Sequence, residues 1–269
     1  MDLSGIHVPL ITPFDADNAV AYAVLEDLAQ AMLLAGARLV ALGTTAEAAS
    51  LSSAERREVL RVLGASPDLI VGANTAAELR EAAASGAGAA LTLVPPFVRP
   101  GPDGVVAHFE ALAATSPIPL VVYHVPQRTG QPLGADTIRR LAAIDAVIGI
   151  KYATGAVDAD LVDLLADPPT GFAVLCGDDV FLAPMLAMGA RGGILASAHL
   201  ETEAFVRFFG DRDIASGRRL AKLSKAVFAQ PNPTVVKAVL HARGRIPTPE
   251  VRLPLLPALA PSLYGSLLE

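Results

Sequence analysis

The chain of 269 residues has no tryptophan, one cysteine and little charge, with 18% charged residues against 52% hydrophobic. The lone Cys176 excludes an intrachain disulfide and fits a reducing compartment, so a cytoplasmic location is expected. One thiol cannot build a thiolate metal site either. The histidines His7, His108, His124, His199 and His241 show no HxxxH or His-x-His spacing, so no metal is expected. Long apolar runs are missing: the window 180–190 is bounded by Asp178, Asp179 and Arg191, and a bilayer span needs roughly 20 apolar residues in sequence. The N-terminal MDLSGIHVPL has no basic stretch leading into an apolar one, which predicts no secretory leader. A net charge of −6 without basic clusters excludes a nucleic-acid footprint. Absent too are GxGxxG, GxxxxGK[ST] and GxSxG, which leaves no signal for dinucleotide, P-loop or serine-hydrolase chemistry. The apolar content excludes disorder. What remains is a soluble, core-rich globular protein.

Lysine is scarce as well. The 21 basic residues comprise 17 arginines and four lysines, Lys151, Lys222, Lys225 and Lys237. A lysine retained against that bias points to a task that arginine cannot perform.

What is present is a regular alternation. Short apolar, β-branched runs at 8–12, 38–43, 69–74, 90–94, 120–125, 147–151, 172–176 and 193–197 read as strands. Between them, Ala-, Leu-, Glu- and Arg-rich stretches at 24–35, 53–63, 76–85, 104–114, 135–144, 159–166 and 180–188 read as helices. Near-continuous apolar strands separated by helices predict a parallel sheet covered on its faces. Eight βα units fit a (β/α)₈ barrel better than the rival, an open doubly wound sheet. After the eighth strand, 201–210, 215–229 and 234–243 read as helices. The expected organisation is a barrel over 1–215 with a C-terminal helical appendage over 216–269, forming a single catalytic unit.

Barrel active sites gather at the C-terminal ends of the strands. Lys151 ends the run Val147-Ile148-Gly149-Ile150 and shares a strand face with Val147 and Gly149. Burial of an ammonium favours the neutral amine, the form that attacks a ketone to make a Schiff base. The alternative is a lysine that snorkels from a strand end or forms an ion pair. Tyr123 ends Leu120-Val121-Val122 and could move protons beside an imine, or be a rim tyrosine. Thr44 and Thr45 follow Gly43 in a βα loop, where they could hold a carboxylate or cap a helix. Arg128 could clamp a second carboxylate or sit solvated on its loop. Asp178-Asp179 is expected to cap the helix that follows.

Taken together, Ile11-Thr12-Pro13-Phe14, Gly43-Thr44-Thr45-Ala46-Glu47, Tyr123-His124-Val125-Pro126 with Arg128-Thr129-Gly130, and Gly149-Ile150-Lys151 resemble the dihydrodipicolinate synthase / N-acetylneuraminate lyase family. Gly177-Asp178-Asp179, the Gly189–Ile194 segment, Asn232-Pro233 with Lys237, and Arg252-Leu253-Pro254-Leu255 extend the likeness over nearly the whole chain. The resemblance implies a class I pyruvate lyase or synthase on a (β/α)₈ barrel, assembled as a homodimer or homotetramer. It implies that Lys151 forms the imine with pyruvate, so that no separate cofactor is needed, and that Tyr123 relays protons with Thr44. Thr45 would hold the pyruvate carboxylate, the backbone at Ile194 would line the same pocket, and Arg128 would bind the carboxylate of aspartate semialdehyde.

Three positions depart from the family pattern: Ala46 replaces a glycine, Tyr152 a glutamate, and Phe97 the relay tyrosine of a Pro-Tyr-Tyr loop. The expected reaction is condensation of pyruvate with aspartate 4-semialdehyde. A 2-keto-3-deoxy sugar acid aldolase, or a catalytically impaired barrel serving as a binding protein, are the alternatives.

Overall fold

A computed structural model describes residues 1–259. The strands are β1 (Gly5–Pro9), β2 (Arg38–Ala41), β3 (Ser66–Gly72), β4 (Ala87–Leu93), β5 (Leu120–His124), β6 (Val147–Tyr152), β7 (Ala173–Cys176) and β8 (Gly192–Ile194), ordered in the sheet as in the chain to form a closed barrel. The intervening helices are α1 (Tyr22–Leu34), α2 (Ser53–Leu63), α3 (Ala76–Ala84), α4 (Gly101–Ala113), α5 (Pro126–Thr129), α6 (Ala135–Ala142), α7 (Ala159–Ala166) and α8 (Leu182–Ala187). After β8 come α9 (Thr202–Asp211), α10 (Ile214–Val227) and α11 (Thr234–Ala242). The alternation read from the sequence is thus a (β/α)₈ barrel with added C-terminal helices. Of the appendage expected over 216–269, residues 260–269 lie outside the described residues.

The chain forms two compact units, Met1–Gly5 with Ala65–Ile194, and Ile6–Gly64 with Leu195 onward. In the first, β3 through β8 pair in parallel, and Tyr123, Lys151 and Leu175 fall in one register row across β5, β6 and β7. Ile70, Ala89, Ala90, Leu120, Val121, Val122, Ile150 and Leu175 are fully buried. Burying a large aliphatic side chain contributes about 1.5–3 kcal/mol, which is why these strands read as unbroken apolar runs. Helix α3 starts at a capping box: the Thr75 hydroxyl accepts from the Glu78 N–H while Glu78 accepts from the Thr75 N–H. Asp158 caps α7 by accepting from the Leu161 N–H. Each such cap contributes about 1 kcal/mol.

In the second unit, β1 pairs with β2 in parallel, with His7 opposite Arg38. A Ser52–Glu55 capping box opens α2, and Asp213 caps α10. Leu25, Leu28, Val59, Phe205, Leu220, Val235 and Val239 form buried faces on the helices.

Most element ends shift by one to three residues from the expected ranges, and three elements change more markedly. The first strand is Gly5–Pro9 instead of 8–12, because past Leu10 the backbone leaves the ladder: the Ile11 N–H donates to His199 Nε2 and the Thr12 hydroxyl to the Ala46 carbonyl. The eighth strand ends at Ile194, and the expected 193–197 run turns into a 3₁₀ segment at Ala196–His199. The expected helix 180–188 divides into a 3₁₀ turn at Asp179–Phe181 followed by α8.

Candidate active site

Lys151 emerges from the buried strand β6 and is itself only 7% exposed. Alternation puts Val147, Gly149 and Lys151 on one face. A Cβ at Gly149 would lie 2.7 Å from the Ala173 carbonyl oxygen and 2.8 Å from Leu3 Cδ1, so the missing side chain makes room for buried Leu3 beside β6. On the neighbouring strand, Tyr123 stands opposite Lys151, and Lys151 Nζ is 4.5 Å from the centroid of its ring. A Cβ at Gly177, just past β7, would meet Lys151 Cγ at 2.9 Å, and the Tyr152 carbonyl and Ala153 Cβ at 2.8 Å. The lysine stem therefore runs through space that only glycine leaves open.

The residue after the lysine is part of a polar network. The Tyr152 hydroxyl donates to Asp158 Oδ1 at 2.7 Å, and the Thr154 hydroxyl donates to Asp158 Oδ2 at 2.9 Å. Burial, reinforced by the adjacent Asp158 carboxylate, pushes the Tyr152 phenol well above its ordinary value. Burial alone would raise Asp158, but the bonds from Tyr152, Leu161 and Thr154 hold it below the usual carboxylate range. His124 packs edge-on against Tyr152 at 5.2 Å between ring centroids, and burial lowers it to about 4, so it is neutral at physiological pH. Tyr152 thus ties the end of β6 to the cap of α7, a link that the sequence showed only as a departure from the family pattern.

Asp178 stands at the N-cap position of the Asp179–Phe181 turn but makes no side-chain cap there, contrary to expectation. The Asp178 carboxylate accepts instead from the Gly155 N–H at 2.6 Å, joining the loops after β6 and β7. Burial raises the Asp178 carboxyl above its usual value; that hydrogen bond and the Lys151 charge oppose the rise. Burial also pushes the Cys176 thiol well up, so it stays protonated.

Arg128 lies on α5 immediately after β5; it is exposed and makes no ion pair among the described residues. Ile194 ends β8 and is fully buried. Phe97 is 88% exposed, with φ 71° and its N–H donated to the Thr129 carbonyl.

Thr44 and Thr45 belong to the other compact unit, in a 3₁₀ turn (Thr44–Ala46) directly after β2, so neither is the helix cap. Thr45 is 3% exposed, and its Oγ1 accepts from Asn232 Nδ2 at 2.8 Å. Glu47 ends the turn in the left-handed region, φ 53°. Its carboxylate accepts from Lys237 Nζ at 2.5 Å and from the Arg252 N–H at 2.7 Å. Lys237 is fully buried, its Nζ 4.0 Å from the Phe14 ring centroid. Burial lowers Lys237 to about 8, against the pull of Glu47. Nothing in local spacing links these partners, which lie 187 to 205 positions apart; the likeness to the family motifs was their only sequence signal.

Among the described residues no group of three or more His, Cys, Asp or Glu side chains could hold a metal ion, and no helix is long and apolar enough to cross a membrane. Comparison with known proteins places the chain among dihydrodipicolinate synthases by similarity. A relative from Synechocystis sp., a 4-hydroxy-tetrahydrodipicolinate synthase, is 37% identical over 94% of this chain and 89% of its own length. The crystal structure of the chloride-inhibited dihydrodipicolinate synthase from Acinetobacter baumannii, complexed with pyruvate, is 32% identical, with a TM-score of 0.87 over 98% of this chain and 96% of that one. A monomeric dihydrodipicolinate synthase variant matches with a TM-score of 0.90 and 28% identity, over 99% of this chain and 96% of that one. The family model described as the dihydrodipicolinate synthetase family matches residues 2–262, and the chain belongs to that family.

Proposed function

We propose that this chain is an enzyme that condenses pyruvate with aspartate 4-semialdehyde through a Schiff base on Lys151. The observation that carries this is the buried strand lysine with its amine held over the Tyr123 ring, in a family whose relatives are 4-hydroxy-tetrahydrodipicolinate synthases. The Lys151 amine adds to the pyruvate carbonyl carbon and water leaves, giving an iminium that draws electrons from the adjacent methyl. Loss of a methyl proton gives the enamine, whose carbon bonds to the aldehyde carbon. The Tyr123 phenol, on the neighbouring strand, moves protons during these steps. The imine itself is the electron sink, so the reaction needs no separate cofactor.

Thr44 in the proton relay, Thr45 at the pyruvate carboxylate and Ile194 in the pocket wall are assigned from the family likeness. Arg128 suits the second carboxylate because its guanidinium has no competing ion-pair partner among the described residues. We also infer a cytoplasmic homodimer or homotetramer: Phe97 and Val98 expose an adjacent apolar pair, 88% and 73%, that a second copy could cover.

Borohydride reduction in the presence of pyruvate, followed by mass spectrometry, tests the common step: a pyruvyl adduct is expected on the Lys151 peptide, and its absence overturns the reading. A reductase-coupled assay with aspartate semialdehyde tests the substrate. Turnover of keto-deoxy sugar acids alone would replace the synthase with an aldolase.

A further inference from the structure

A hydroxyl has one hydrogen to donate and lone pairs to receive. At Thr45 the Asn232 amide N–H occupies the receiving side. The Thr45 hydrogen is left to point elsewhere, and among the described residues nothing accepts it. Asn232 Oδ1 is buried and meets no donor there, so the amide is held at Thr45 at the expense of its own second hydrogen bond.

The turn that carries Thr45 is fixed from other directions. The Thr12 hydroxyl donates to the Ala46 carbonyl at 2.7 Å, Lys237 and the Arg252 N–H hold the Glu47 carboxylate, and Lys237 is in turn held by the Glu250 carbonyl at 2.9 Å. Thr45 is therefore held in place, and the direction of its O–H is decided by Asn232.

We propose that Asn232 is a positioning residue for the reaction: by donating to Thr45 it turns the Thr45 hydrogen outward, ready for the carboxylate of a 2-keto acid. This rests on the reading above, in which Thr45 receives the pyruvate carboxylate. A carboxylate only accepts hydrogen bonds. A Thr45 hydroxyl whose hydrogen was spent on residue 232 would meet it with lone pairs.

The test is a double-mutant cycle on the full-length protein with pyruvate as the varied substrate. Asn232→Ala is expected to raise the pyruvate KM by about 10- to 100-fold, the range of a hydrogen bond to a charged group, while kcat changes far less. Thr45→Val should do the same, and Asn232→Ala added to Thr45→Val should have little further effect. Asn232→Asp, close in shape but offering only acceptors at neutral pH, should raise KM at least as much and carries the test if the alanine variant does not fold. An unchanged pyruvate KM in Asn232→Ala or Asn232→Asp overturns the proposal. So does an equal rise in the Thr45→Val background, which would mean that Asn232 acts by another route. Borohydride trapping in the unaltered protein separates the two failures: no adduct removes the Schiff-base reading, whereas an adduct together with an unchanged KM in the variants removes the role of Asn232 alone.

Discussion

Lys151 and Tyr123 are direct neighbours across β6 and β5, and the lysine Nζ stands 4.5 Å above the centre of the tyrosine ring. The ring face packs against the amine end of the lysine, and strand pairing fixes the separation of the two backbones. In the proposed roles of nucleophile and proton carrier, two side chains mounted on paired strands need no loop movement to meet, which is the advantage of placing them in a barrel wall.

Gly177 is expected to be required for the rate at which the lysine it borders reacts. In Gly177→Ala the new methyl would contact Lys151 Cγ at 2.9 Å and backbone and side-chain atoms of Tyr152 and Ala153 at 2.8 Å, closer than carbon atoms tolerate. Displacing the lysine stem by about 1 Å can cost about 100-fold in rate. Single-turnover borohydride trapping should show slower adduct formation on Lys151. Unaltered trapping would mean that the lysine has room the structure does not show.

Lys237 is expected to resist replacement by arginine. It is fully buried between the Glu47 carboxylate, the Glu250 carbonyl and the Phe14 ring, where a compact ammonium fits and a planar guanidinium does not. Lys237→Met should be more harmful, since it leaves Glu47 buried and unpaired at a cost of about 3–5 kcal/mol. In calorimetry that amounts to a fall in Tm of about 6 °C or more. Adding Glu47→Gln to Lys237→Met should recover part of the loss, and an additive further drop would show that the pair does not act as a unit.

Stability should decline on mild acidification. Burial lowers both His124 and His199 to about 4 in the folded chain, against 6.5 for the ordinary side chain. Between those values the unfolded chain binds more protons than the folded one. Their contribution to stability is therefore complete above about pH 6.5 and is lost as the pH falls toward 4. Melting temperatures measured across this window should fall, and less so in His124→Phe. A flat profile would contradict the burial of both imidazoles in neutral form.

Phe97 occupies the position where the family pattern places a relay tyrosine, and it is 88% exposed. If this loop takes part in proton transfer, Phe97→Tyr should raise kcat for pyruvate with aspartate semialdehyde, through a phenol that phenylalanine lacks. The steady-state assay is direct, and an unchanged kcat excludes the loop from the proton path.

The periodic part of the fold was legible in the order of residues. Apolar β-branched runs separated by helix formers are a local code, so Ser53–Leu63 and Ala159–Ala166 fall where the pattern placed them. Lys151 was legible for the same reason, as one of four lysines in an arginine-rich chain, set at the end of an apolar strand. The ends of β1 and β8 were not legible, because their hydrogen bonds go to partners distant in the chain, such as Ile11 to His199. Asp178 was misjudged likewise: beside a helix start a cap is the local expectation, and only the tertiary structure brings the Gly155 N–H to its carboxylate.

The sequence by itself therefore determined the barrel, the family and the place of the strand lysine proposed to form the imine, all of which depend on residue type and period along the chain. The tertiary structure alone decided which groups fix the direction of the reactive ones. Gly177 opening a path for Lys151, Tyr152 tied to Asp158, and Asn232 and Lys237 holding the Thr44–Glu47 turn are matters of distance and hydrogen-bond polarity. The reason is physical: hydrogen bonds act over about 3 Å, and which atoms come that close depends on how the whole chain packs.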